Sequence, residues 1–196
     1  MSEMKSAWEK AMEKADKLGK LSPEELQQME FRPTGNKIAA QYLQDERFDL
    51  DAELTKYKGT GGRKHIIQGA QETFIRNITL PHDEHSINTI NRSLEGIRLL
   101  KENKKQLQEI YDRLNNLLNY YQQARQQAFA QFKKDFESKV QEIGATLQQR
   151  PGMNAQTLEA ELQRQFQEEW HRISSQLDAQ YQKTLEEQKK QILDIA

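Results

Sequence analysis

The chain has 196 residues, of which 35% are hydrophobic and 30% charged, with a formal net charge of -1. So low an apolar fraction does not fill a compact globule of this length, and so even a charge balance gives no electrostatic case for nucleic acid or an anionic membrane as the default partner. Cysteine is absent, which excludes disulfides, thiolate metal sites and cysteine nucleophiles together and agrees with a reducing cytoplasm.

The scarce apolar residues recur at helical spacing, so elongated helices are expected and disorder is not. No run approaches the roughly 18 apolar residues of a membrane-spanning helix, and the opening Met-Ser-Glu-Met-Lys-Ser-Ala-Trp-Glu-Lys lacks a signal core. These features lead us to expect a soluble cytoplasmic protein with neither a membrane nor a nucleic-acid partner.

In chain order, a first helix is expected over 5–18, with Trp8, Ala11, Met12, Ala15 and Leu18 on one face and Gly19 at its end. Ser22-Pro23-Glu24-Glu25 is a capping box with proline at the first helical position, so a second helix starts there. Arg32-Pro33-Thr34-Gly35 is expected to break it, and Ile38, Ala39, Tyr42 and Leu43 to form another short helix. An acidic stretch over 45–53 follows, whose neighbours Phe48, Leu50 and Leu54 need a packing partner. After the glycine cluster Gly59-Thr60-Gly61-Gly62, a helix carries Ile66, Ala70, Phe74 and Ile78 at four-residue spacing until Pro81.

A long helix is then predicted over 83–149, roughly 100 Å at 1.5 Å per residue. Its first third carries Ile87, Ile90, Leu94 and Ile97, a face for the short helices to cover. Lys101 to Gln106 interrupts the stripe with six polar residues.

Beyond that gap two apolar stripes mirror each other about Arg150-Pro151-Gly152-Met153-Asn154. Pro151 stops one helix, Gly152 supplies a permissive backbone and Asn154 caps the next. At constant register Val140 falls opposite Phe166, Phe136 opposite Trp170, Phe132 opposite Ile173 and Ala128 opposite Leu177. The pairing continues through Tyr121 with Leu185 to Ile110 with Ile195, weakest where Leu118 meets Gln188. Heptad spacing of Leu107, Leu114, Tyr121 and Ala128 favours coiled-coil geometry. The expected fold class is therefore all-α: a helical head over 1–106, including the start of the long helix, and an antiparallel coiled-coil hairpin over 107–196 with its turn at 150–154.

Three clusters carry candidate chemistry. Gly59, Gly61 and Gly62 with Arg63 and Lys64 stand before a helix and offer amides and cations to an anion, although the spacing is not that of a Walker loop and a plain connector is the first reading. His82, Asp83 and His85 combine imidazole and carboxylate as a metal site would, but Asp83 equally suits a helix start and no third or fourth ligand is evident. Tyr111, Leu117, Tyr120 and Phe129 flank the hairpin seam and are expected to be only partly covered, which makes them the candidate interaction surface. Glu168 and His171 copy half of a di-iron motif without the other half. No catalytic residues are assigned and no cofactor is implied.

Ser6-Ala7-Trp8-Glu9-Lys10-Ala11, the run from Leu18 to Glu25, and Ile78-x-Leu80-Pro81 before a long helix together resemble an uncharacterised bacterial family of helical proteins. The resemblance lies mainly in the N-terminal half and implies a bacterial, all-helical protein, with no known activity or site residues. The functional expectation is a non-enzymatic protein whose hairpin acts as spacer or docking arm, through self-association or a protein partner. The alternatives are a head that binds a ligand, anion or metal, with or without catalysis, and a holdase-like chaperone arm.

Overall fold

The computed structural model describes residues 21–147 and 155–195; the helix expected over 5–18 and the turn at 150–154 lie outside them. Six helices and no strand occur among the described residues: α1 Pro23–Gln44, α2 Leu50–Thr55, α3 Arg63–Asn77, α4 Glu84–Leu100, α5 Lys104–Leu147 and α6 Ala155–Asp194. They fall into two compact units. One comprises the chain up to Ile78 with Thr89–Glu102, the other Thr79–Asn88 with the chain from Asn103.

In the first unit α1 opens as its sequence dictates. The Ser22 hydroxyl accepts from the Glu25 amide at 3.3 Å, and the Glu25 carboxylate accepts from the Ser22 amide at 2.7 Å. The expected break at Arg32-Pro33-Thr34-Gly35 is not there, because α1 runs unbroken through Pro33 to Gln44. Packing against α3 explains this. A methyl on Gly35 would overlap the Ile66 carbonyl, and one on Gly69 would overlap the Arg32 carbonyl, so each helix presents a glycine notch to the other's backbone. That close approach, with an Arg32–Glu72 ion pair beside it and Ile38, Ala39 and Tyr42 buried along α1, offsets the roughly 3 kcal/mol that an interior proline costs.

Leu50 and Leu54, one turn apart on α2, are both buried, as are Ile66, Ala70 and Phe74 at four-residue spacing on α3. The Phe74 ring meets the Tyr42 ring edge-on at 5.6 Å and abuts Gly96 of α4, where a side chain would strike it. Arg92 of α4 fastens the end of α1: its Nε donates to the Tyr42 carbonyl at 2.7 Å and its Nη2 to the Asp45 carbonyl. Its guanidinium lies over the Tyr42 ring at 4.4 Å. A cation on the last carbonyls of a helix satisfies orphan acceptors and opposes the negative end of the macrodipole.

The continuous helix expected over 83–149 is also corrected. It is two helices, α4 and α5, parted at residues 101–103 inside the polar gap. Asn103 starts α5 by accepting from the Gln106 amide at 3.1 Å, an N-cap readable in the sequence. Lys101 is not solvated there but 4% exposed.

In the second unit α5 and α6 pack along one another. Phe132 lies against both Phe166 and Trp170, at 4.8 and 5.8 Å between ring centres. Phe136 meets Phe166 at 5.1 Å, and Tyr121 meets Tyr181 at 5.4 Å. Phe132 thus sits between two residues one turn apart on the facing helix, where single rungs were expected. Burial is graded along the pair. Leu107, Ile110, Leu114 and Tyr121 of α5 and Leu185 and Ile192 of α6 are buried, whereas Phe136, Val140, Leu162 and Phe166 are half-exposed.

Candidate functional site

The most elaborate polar arrangement among the described residues lies where the segment before α4 meets the middle of α5 and α6, all within the second unit. Leu80 and Pro81 are buried, and the extended chain there brings His82 against α5. Tyr121 is fully buried and donates its hydroxyl proton to Asp178 of α6 at 2.7 Å. A phenol has one proton, so toward His82 Nδ1, 3.1 Å away, the same oxygen is the acceptor. Nδ1 is therefore the protonated nitrogen, and in the neutral form of the ring Nε2 keeps the lone pair. Burial, then the hydrogen bond and charge of Asp178, push the Tyr121 phenol above its ordinary range.

One turn along α5, Arg125 donates to the His82 carbonyl at 3.1 Å. Its guanidinium faces the Trp170 ring at 5.9 Å, while its Nε is buried without an acceptor among the described residues. Pro81, Ile87, Phe129 and Trp170 supply apolar walls, and His82, Glu84 and Arg125 polar edges, to a groove of about 460 Å³. That volume lies within the roughly 300–1,000 Å³ usual for small-molecule sites.

Of the sequence candidates, His82, Asp83 and Phe129 line this groove. Asp83 is engaged as a helix cap, accepting from the Ser86 amide at 2.7 Å, and this bond lowers its pKa. No three His, Asp or Glu side chains gather as a metal site among the described residues. Gly59 takes a left-handed φ of 86° in the turn before α3, and a side chain on Gly62 would strike the Phe31 ring. These glycines therefore serve a tight turn and a close contact, with Arg63 opening α3 and Lys64 3.4 Å from Glu24. Tyr120 is 64% and Phe129 39% exposed, and Leu117 is half-buried. Tyr111 does not belong to that surface. It is 7% exposed because it shares one helix face with Leu107 and Leu114. Glu168 is a solvated residue paired with Arg164 at 2.9 Å.

Residues 51–194 match DUF6657, a family of unknown function. The chain belongs to that family. The match includes Ile78-x-Leu80-Pro81, the groove and both long helices, and leaves out the N-terminal motifs up to Glu25. No curated protein and no solved structure matches the chain.

Sequence reasoning placed Tyr121 and Trp170 in the seam and did not assign Arg125 or Asp178. The available signal was polar residues one helical step from large aromatic seam positions: Arg125 four after Tyr121, and Asp178 three before Tyr181.

Proposed function

We propose that this DUF6657 member is a non-enzymatic interaction protein in which the α5–α6 pair is a coiled-coil docking arm that binds protein, either a second copy or a partner. The observation that carries this reading is the unfinished burial along the arm. Phe136, Val140, Leu162 and Phe166 line an open groove of about 640 Å³, and Phe129 remains 39% exposed. Contiguous exposed apolar surface of this kind marks interaction sites in folded proteins. A rim of Lys133, Glu137, Glu159 and neighbouring glutamines supplies the polar border usual at interfaces. The absence of cysteine supports a cytoplasmic setting, and among the described residues no helix is long and apolar enough to cross a membrane.

The test is light scattering in line with size exclusion, together with a photo-crosslinker placed at Gln141 on the groove rim. Crosslinks from the arm to a second copy or to one reproducible partner, lost on Phe136→Asp, are expected. A monomer at high concentration with no specific crosslink would overturn the reading. Suppression of client aggregation without any such specific crosslink would instead favour a holdase.

A further inference from the structure

The groove beside α4 holds two opposite charges that form no ion pair among the described residues. Among the described residues Arg125 makes no ion pair, and its only acceptor is the His82 carbonyl. Glu84 lines the same groove and is exposed, with no cation paired to it among the described residues. Asp83 differs, since its carboxylate is committed to Ser86. His82, with a proton held on Nδ1 by the Tyr121–Asp178 relay, offers an acceptor at Nε2 in the neutral form of its ring. Trp170, Phe129 and Ile87 line the same groove.

A guanidinium beside an aromatic ring is suited to a carboxylate, which it grips by paired, charge-assisted hydrogen bonds. A lone anion would meet the carboxylates of Asp83 and Glu84 as well. A ligand carrying both charges meets each with its complement, and a flat or branched apolar body fills the aromatic walls. We infer that the groove binds a small zwitterion of the α-amino-acid class with a large apolar side chain. Arg125 takes its carboxylate, Glu84 and His82 Nε2 take its ammonium, and Trp170 and Phe129 hold its side chain. This inference does not rest on the docking-arm reading, since of the residues that carry that reading only Phe129 also lines this groove.

The experiment is titration of the full-length 15N-labelled protein with three unlabelled probes of one ring system: L-tryptophan, indole-3-propionate and tryptamine. The Trp170 indole N–H signal, assigned through Trp170→Phe, reports the site. Saturable shifts with L-tryptophan and at least about tenfold weaker binding of the two singly charged probes are expected, a factor corresponding to about 1.4 kcal/mol. Glu84→Gln, an exposed change that leaves the fold intact, should weaken L-tryptophan about tenfold and leave indole-3-propionate unweakened. Arg125→Gln should abolish binding of both carboxylates. L-Phenylalanine and L-leucine serve as further zwitterions. Absence of saturable binding by every zwitterion, or indole-3-propionate binding as tightly as L-tryptophan, would overturn the proposal.

Discussion

Tyr121 and Asp178, on facing helices of the arm, share a 2.7 Å hydrogen bond in which the phenol is the donor. Its consequence is a definite pH signature. Burial raises the pKa of Tyr121, reinforced by Asp178, and burial with the nearby Glu95 also raises that of Tyr42. A phenol whose folded pKa lies above its unfolded value contributes its full stability below about pH 10 and loses it as pH rises toward the folded value. Stability should therefore fall above about pH 10. In an ultraviolet titration, Tyr121 and Tyr42 should ionise later than a free phenol. Tyr121→Phe should cost about 1–3 kcal/mol near neutrality and flatten the alkaline decline, measured by urea unfolding across that range. A Tyr121→Phe difference titration that shows Tyr121 ionising in the ordinary phenol range would refute the relay.

Gly35 and Gly69 form reciprocal notches between α1 and α3. Alanine is the better helix former by about 1 kcal/mol, so a gain would be expected from propensity alone. The overlap with opposing carbonyls decides the sign, because backbone cannot move aside as a flexible side chain can. Gly35→Ala and Gly69→Ala should each destabilise by about 1–3 kcal/mol, and Pro33→Ala should stabilise α1. Thermal unfolding of the three variants checks the ordering, and a stabilised Gly35→Ala would show that the helices are not in contact at this point.

The same residues show what could be read from the chain. The Ser22 capping box and the spacing of Ile66, Ala70 and Phe74 are local, and they survive unchanged in the structure. The break expected at Pro33 and Gly35 does not occur because the partner that keeps α1 helical, Gly69, is distant in sequence, and local propensity carries no information about it. The interruption at residues 101–103 is the converse case. The polar gap at 101–106 is legible in the sequence, but the helical spacing on both sides of it predicts a continuous helix. The groove needed Arg125, Asp178 and His82 to be brought together from three separate segments, which no spacing rule within one helix supplies.

Arg92 ties the C-terminal end of α1 through the Tyr42 and Asp45 carbonyls and covers the Tyr42 ring. Arg92→Met keeps most of the apolar stem and removes the cap. It should cost about 1–3 kcal/mol, the scale of hydrogen bonds to a charged group. Arg92→Lys should recover only part of this, since an ammonium lacks the planar fork that reaches two carbonyls and stacks on a ring. Amide hydrogen exchange at residues 41–45 should accelerate in both variants, and unchanged protection there would argue against the cap.

Gln188 of α6, which the expected register sets opposite Leu118, has its Oε1 buried without a hydrogen-bond partner among the described residues. An unsatisfied buried amide costs about 1–3 kcal/mol, whereas an apolar side chain at that point would add to a seam that already contains Leu118 and Leu185. Gln188→Leu should therefore stabilise the protein by about 1 kcal/mol or more. Gln188→Glu should destabilise it by burying a charge. Gln180→Leu, at an exposed position of the same helix, is the control and should leave stability within about 0.5 kcal/mol. Chemical unfolding of the three variants separates burial from helix propensity, because Leu replaces Gln at both sites. A loss of stability in Gln188→Leu would mean that the amide oxygen is satisfied in solution and that the polar rung contributes to the arm.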